Sequence, residues 1–159
     1  MASIDTPLLV MGHGPAALVL AKIASGMGFP SVVAGHEAVD DREPVVLDDR
    51  SQTILRPHGV LGVLRPYAVS QEPFAIAPIE FENGLKHHCV ADMLITVLDG
   101  IEFEGQAHGG PITGSLSDGR STWEVSADVF VDAGTLPGEL NEAIRAAAEL
   151  AESLVPPAS

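Results

Sequence analysis

Positive charge is scarce in this chain: Lys and Arg together number 8 against 22 Asp and Glu, a formal net charge of −14 over 159 residues. Binding to a phosphate backbone needs basic residues in concentrated patches, and here they stand singly, which argues against a nucleic-acid ligand. The same field repels an anionic membrane surface. Cysteine is nearly absent. Cys89 alone can form neither an internal disulfide nor a CxxC metal or redox motif, and this fits a reducing compartment. No apolar run approaches the length that spans a bilayer, and "MASIDTPLLV" has no basic segment leading into a long apolar one, so a cytoplasmic protein without membrane contact is expected. The GxSxG elbow, the P-loop and HExxH are missing too, which removes the main support for hydrolytic and ATP-binding chemistry.

What is present is apolar. Hydrophobic residues make up 46% of the chain and the mean hydropathy is +0.25, too high for a disordered segment. The length suits one domain with a core of its own. A surplus of aliphatic side chains could also cover a partner, so a homo-oligomer or a subunit of a complex is expected.

"PLLVMG" is a short continuous apolar run bounded by Pro7 and Gly12, the pattern of a buried strand. Residues 15 to 27 favour a helix opened by Pro15, and "SVVA" is a second buried strand, so the first third reads as a parallel βαβ unit. "VVLDD" is a third short strand. Between Arg50 and Gln71 the spacing of Pro57, Gly59, Gly62 and Pro66 predicts irregular structure or a short helix. "PFAIAPIEF" reads as an extended segment that Pro78 would confine to a sheet edge. "LKHHCVADMLITVLDG" fits either a helix through Leu98 or a helical turn followed by the strand "MLITVL". Asp118-Gly119 between two alternating runs marks a hairpin, "ADVFVDAG" is a buried strand, and residues 138 to 154 form an amphipathic helix with Leu140, Ile144, Ala147, Ala151 and Leu154 on one face.

The turn after the first strand, Gly12-His13-Gly14-Pro15-Ala16-Ala17, has the form GxGxxA between a strand and a helix. Gly12 permits the tight turn, Gly14 lets a pyrophosphate approach the backbone, Ala17 allows close helix packing, and free amides at the helix start can hold phosphate. "LLVMGHGPAALVLAKIAS" resembles the opening of FAD-dependent and NAD(P)-dependent oxidoreductases. "SLSDGRSTWEVSADVFVDAGTLP" is similar to the segment of such flavoproteins in which a hairpin returns to a strand ending in a small-residue turn beside the cofactor. The resemblance implies a Rossmann-type domain with FAD or NAD(P) as cofactor and the Asp132-Ala133-Gly134 turn alongside it.

In that family the second strand ends in an acidic residue that holds ribose hydroxyls. Here it ends "VVAGHE", with Gly35 or His36 near that place and Glu37 displaced by about a residue or two. The chain is also far shorter than a two-domain flavoenzyme, which implies an atypical ribose site or a larger assembly. The same turn is similar to the Rossmann domain of xanthine dehydrogenase accessory factors, which would imply a maturation role.

Other candidates have plainer readings. His13 could contact phosphate, although this position of the motif is commonly just exposed. Lys86-His87-His88-Cys89 gathers metal-ligand types without the i, i+4 spacing of a helical zinc site, and Cys89 in "CVADMLI" reads as a small buried residue rather than a nucleophile. The carboxylates from Asp40 to Asp49 read as solvated loops, and "GQAHGGPITG" as a long loop.

The expectation is therefore a single α/β Rossmann-like domain over 1–159, with a mainly parallel sheet and an appended antiparallel hairpin. Its dinucleotide site would comprise Gly12, His13, Gly14, Pro15, Ala16, Ala17, His36, Glu37, Asp132 and Gly134. The function expected is that of a small flavin- or nicotinamide-binding oxidoreductase or its nucleotide-binding subunit. The alternative is a scaffold or assembly protein that has lost the ligand.

Overall fold

β1 (Ser3–Met11) is apolar along its second half, and Leu8, Leu9 and Val10 are fully buried. A strand covered on both faces needs this continuous pattern. The glycine turn then leads into α1 (Pro15–Gly26), which crosses back to β2 (Ser31–Gly35), and β2 runs parallel to β1 from Leu8↔Ser31 to Met11↔Ala34. These elements belong to a computed structural model that describes residues 3–12, 14–35, 40–99, 101–106 and 112–154.

β3 (Val45–Val46), the short helices α2 (Asp49–Leu55) and α3 (Val60–Leu64), β4 (Ser70–Gln71) and β5 (Phe74–Ile76) follow. The three strands form a small antiparallel sheet of their own, ordered β3-β5-β4. The strand expected at "VVLDD" is thus real but short, and its Asp48 caps α2 instead by accepting from the Ser51 amide at 2.8 Å. The extended reading of "PFAIAPIEF" is right only as far as Ile76. Pro78 stands in the first turn of α4 (Pro78–Val90), where a missing amide costs no helical hydrogen bond.

After α4 the chain forms β6 (Ile95–Asp99), which settles the ambiguous segment as a helix through Val90 and then a strand. β7 (Glu102–Gln106), β8 (Ile112–Ser117) and β9 (Thr122–Asp132) come next, and α5 (Leu140–Glu152) follows a 3-10 turn at Ala133–Thr135. Part of the loop expected at "GQAHGGPITG" is therefore strand, since Gly105 and Gln106 lie in β7. The hairpin at Asp118-Gly119 is present. Its turn is closed by the Asp118 carboxylate, which accepts from the amides of Arg120 and Ser121.

The main sheet has the order β6-β2-β1-β9-β8-β7; the first four strands are mutually parallel and the last two antiparallel. Alternate residues face opposite layers, as the two-residue period of a strand requires. Leu8, Val10, Val33, Ile95 and Val131 pack with α1, α4 and α5 in one core, while Leu9, Val32, Ala34, Val125 and Ala127 pack with Ile101 and Leu116 in the other. Phe103 of β7 stacks on Phe130 of β9 with ring centroids 5.2 Å apart, and β7 also touches β2, so the antiparallel end curls over the face that the helices leave open.

Candidate functional site

Three parallel strands end together: Met11 of β1 lies between Ala34 of β2 and Asp132 of β9 in the sheet register. Gly12 continues from β1 and donates its amide to the Ala34 carbonyl at 2.6 Å, which ties the turn to β2. Its φ of +106° and the +135° of Gly14 lie where side chains with a Cβ are strained. Pro15 then occupies the first helical position, and Pro15, Ala16 and Ala17 are buried.

No side chain caps α1, and its first turn contains no acidic residue. The amides of Ala16 and Ala17 precede the first intrahelical bonds, so geometry leaves them without a helical acceptor. In a chain this acidic, an uncapped helix start free of carboxylates is a local electropositive point. A ligand phosphate matches that donor set.

Gly35, which the sequence places with His36 near the end of the second strand, has a packing role that the motif does not signal. A Cβ on it would lie 2.7 Å from the Gly12 Cα, so only glycine lets the ends of β1 and β2 approach this closely. Ala133 closes the other side, its Cβ 3.4 Å from where a Cβ on Gly12 would stand. Asp132 is exposed, and its Oδ1 accepts from the Gly134 amide at 2.9 Å while the Thr135 hydroxyl donates to its carbonyl at 2.7 Å. Asp132 and the exposed Gly134 thus build the turn next to the glycine loop. His13, His36 and Glu37 lie outside the described residues.

The other candidates stand elsewhere. Cys89 is fully buried, its Sγ 3.8 Å from the Leu18 carbonyl, and burial pushes the thiol up to about 12. It is packed and unreactive, as its apolar context implied. Near the far end of α1, the Lys22 ammonium and the Ser25 hydroxyl bind Asp92 at 2.8 and 2.7 Å. Burial alone would raise the Asp92 carboxyl, but these bonds and the Leu94 amide hold it at about 2. His58 and His88 flank this pair, and burial followed by the Lys22 charge lowers both, with Asp92 partly opposing the shift at His88. Among the described residues, no group of three or more His, Cys, Asp or Glu is placed to hold a metal ion. A cleft of about 420 Å³ lined by Ser3, Asp5, Thr113 and Glu124 opens at the opposite end of β1 from the glycine turn.

Known proteins resemble this arrangement in fold and not in sequence. No family model matches, and no curated protein does. Among solved structures, the flavin-dependent monooxygenase PieE in complex with FAD and substrate superposes with a TM-score of 0.69 at 17% identity over 82% of this chain and 30% of that one. The p-nitrophenol 4-monooxygenase PnpA from Pseudomonas putida DLL-E4 gives 0.67 at 17% identity over 83% of this chain and 41% of that one. The rebeccamycin biosynthetic enzyme RebC with reduced flavin gives 0.64 at 16% identity over 82% and 33%. The chain thus spans about a third of these neighbours' length. PieE and RebC were both solved with flavin, as FAD in the first and as reduced flavin in the second.

Proposed function

We propose that this chain is an FAD-binding domain of a flavin-dependent oxidoreductase, holding the dinucleotide at the turn between β1 and α1. The observation that carries this reading is the uncapped, acid-free start of α1 behind two positive-φ glycines, at the edge where β1, β2 and β9 end together. Gly12 and Gly14 would admit the pyrophosphate, and the Ala16 and Ala17 amides would donate to it. Pro15 has no amide to give; it sets the direction of the helix. His13 would neighbour the phosphates, and His36 and Glu37, which follow β2 in the sequence, would meet the ribose. The Asp132–Gly134 turn would line the near side. FAD rather than NAD(P) is the cofactor proposed, because the structural neighbours are flavin enzymes.

When bound, the flavin would supply the redox chemistry, and the protein would orient it and exclude water. The whole of residues 1–159 would act as one domain. Gentle purification followed by an absorbance spectrum and mass spectrometry of any released nucleotide tests the reading. Released FAD with flavin bands in the visible supports it. A protein that carries no nucleotide and shows no thermal shift with FAD, while shifting with NADP, overturns the choice of cofactor.

A further inference from the structure

The few cations of this acidic chain are used unevenly. Among the described residues, Lys22, Lys86 and Arg145 are paired with Asp92, Asp99 and Asp48. Arg56 and Arg65 have neither an ion pair nor a side-chain hydrogen bond there, although the chain holds 22 Asp and Glu. Both line one cleft of about 330 Å³ between α2, α3 and the β4–β5 hairpin. Each is presented in the same way. α2 ends in the buried Leu55 and α3 in the buried Leu64, and each leucine is followed by an Arg-Pro that opens a 3-10 turn, Arg56–His58 and Arg65–Tyr67. The leucine anchors the turn and the proline ring fixes its backbone, so both guanidinium groups start from rigid positions.

The rest of the wall contributes acceptors and apolar surface. Gln52 donates its Nε2 to the Leu47 carbonyl at 2.8 Å and Gln71 donates its own to the Arg65 carbonyl at 3.1 Å, while neither Oε1 has a donor among the described residues. Phe74 is the buried aromatic of the cleft. Glu72 lines it as well and pairs with neither arginine among the described residues. We infer that this cleft binds a small organic anion, with its carboxylate or phosphate held by Arg56 and Arg65 and its hydroxyl groups donating to Gln52 and Gln71. Guanidinium forks match carboxylate and phosphate oxygens. The Glu72 carboxylate opposes a highly charged ion and accepts from a further hydroxyl, which favours a polyol phosphate or a hydroxy acid. At net charge −14 the field of the whole chain repels anions, so binding must come from short contacts inside the cleft. None of the lining residues belongs to β1, α1, β2 or β9, and the site is separate from the glycine turn.

Isothermal titration calorimetry of the full chain with glycerol 3-phosphate, citrate and uncharged glycerol tests it. Saturable binding of at least one anion with a Kd of about 1 mM or tighter is expected, and none of glycerol. Arg56→Gln and Arg65→Gln should each weaken it about tenfold, and Glu72→Gln should tighten it. Arg120→Gln, which removes an exposed arginine on the β8–β9 turn, should leave it unchanged. Both cleft arginines are exposed and unpartnered among the described residues, so their variants should keep the native circular dichroism; Glu72→Gln decides the matter if either does not. Binding of glycerol 3-phosphate alone identifies a phosphate ester and of citrate alone a hydroxy acid, and either upholds the inference. No saturation by either anion up to about 10 mM overturns it. So does binding that survives both arginine substitutions, which would put the anion elsewhere, the glycine turn included. An Arg120→Gln effect as large as that of Arg56→Gln overturns it too, because binding would then follow net charge.

Discussion

A methyl group is the difference between Gly35 and alanine, and at this position there is no space for it. With Gly12 Cα 2.7 Å from the added carbon, and backbone rather than a flexible side chain in the way, Gly35→Ala forces β1 and β2 apart. The expected cost is about 1–3 kcal/mol in urea unfolding. Gly62 in α3 is the control, since nothing lies within 4 Å of a Cβ there. Gly62→Ala should be neutral or stabilising by up to about 1 kcal/mol. Equal effects at both positions would contradict the close approach on which the site geometry rests.

The histidines near Lys22 give a dependence on pH. His58 and His88 are lowered from 6.5 in the folded chain, so below that pH the unfolded state binds more protons than the folded one. Stability is therefore full above about 6.5 and falls as pH drops, until the folded-state imidazoles are protonated as well. Asp92, held at about 2, contributes a separate loss only in strong acid, as pH falls from 3.8 toward that value. Urea midpoints at neutral and mildly acidic pH should show the first loss, and His88→Gln should reduce it. A midpoint that does not move over this interval would refute the assignment.

At the scale of elements, Asp48 joins two helices that sequence periodicity treats as separate. Its carboxylate caps α2 at the Ser51 amide and takes a 2.6 Å ion pair from Arg145 on α5, and the Ser51 bond lowers its pKa. Asp48→Ala should cost about 1 kcal/mol, mainly through the lost cap, whereas Arg145→Ala should cost less because that pair is solvent-exposed. Thermal unfolding of both variants separates the contributions. The reverse ranking would mean that the α2–α5 link, not the cap, holds this corner.

The same contrast explains what could be read in advance. β1, α1, β2, β9 and α5 were legible because each has a continuous apolar run or a clear 3.6-residue face, bounded by glycine or proline. Pro78 was misplaced because a proline after apolar residues signals equally well an edge strand or a helix start; Ala77, extended at φ −70° and ψ 139°, decides for the helix. Of the small sheet, β3 and β5 were legible as short apolar runs, but β4 and the pairing of the three were not, because strands of two or three residues have no period to detect. Of the site, the two motif glycines carried a local signal. Gly35 did not, because its role comes from a neighbour that is distant in sequence. The capping by Asp132 could have been found from Asp-x-Gly after a strand, a turn in which the carboxylate accepts from the amide two residues on.

For the whole molecule, the sheet brings the ends of β1, β2 and β9 to one edge, the position where open α/β sheets bind ligands. The helices fill one face and the curled strands the other. The chain spans 30% of the length of PieE and 41% of that of PnpA. Flavin binding is thus the property to test before turnover. The most direct measurement is a titration of FAD followed by its fluorescence, with wild type and Gly14→Val compared at matched circular dichroism. Saturable binding by the wild type, weakened about a hundredfold or more in Gly14→Val, is the predicted result, since a branched side chain at φ +135° both strains the turn and blocks the pyrophosphate. Equal FAD affinity in the two folded proteins would contradict the account, because the flavin would then be bound somewhere other than the glycine turn.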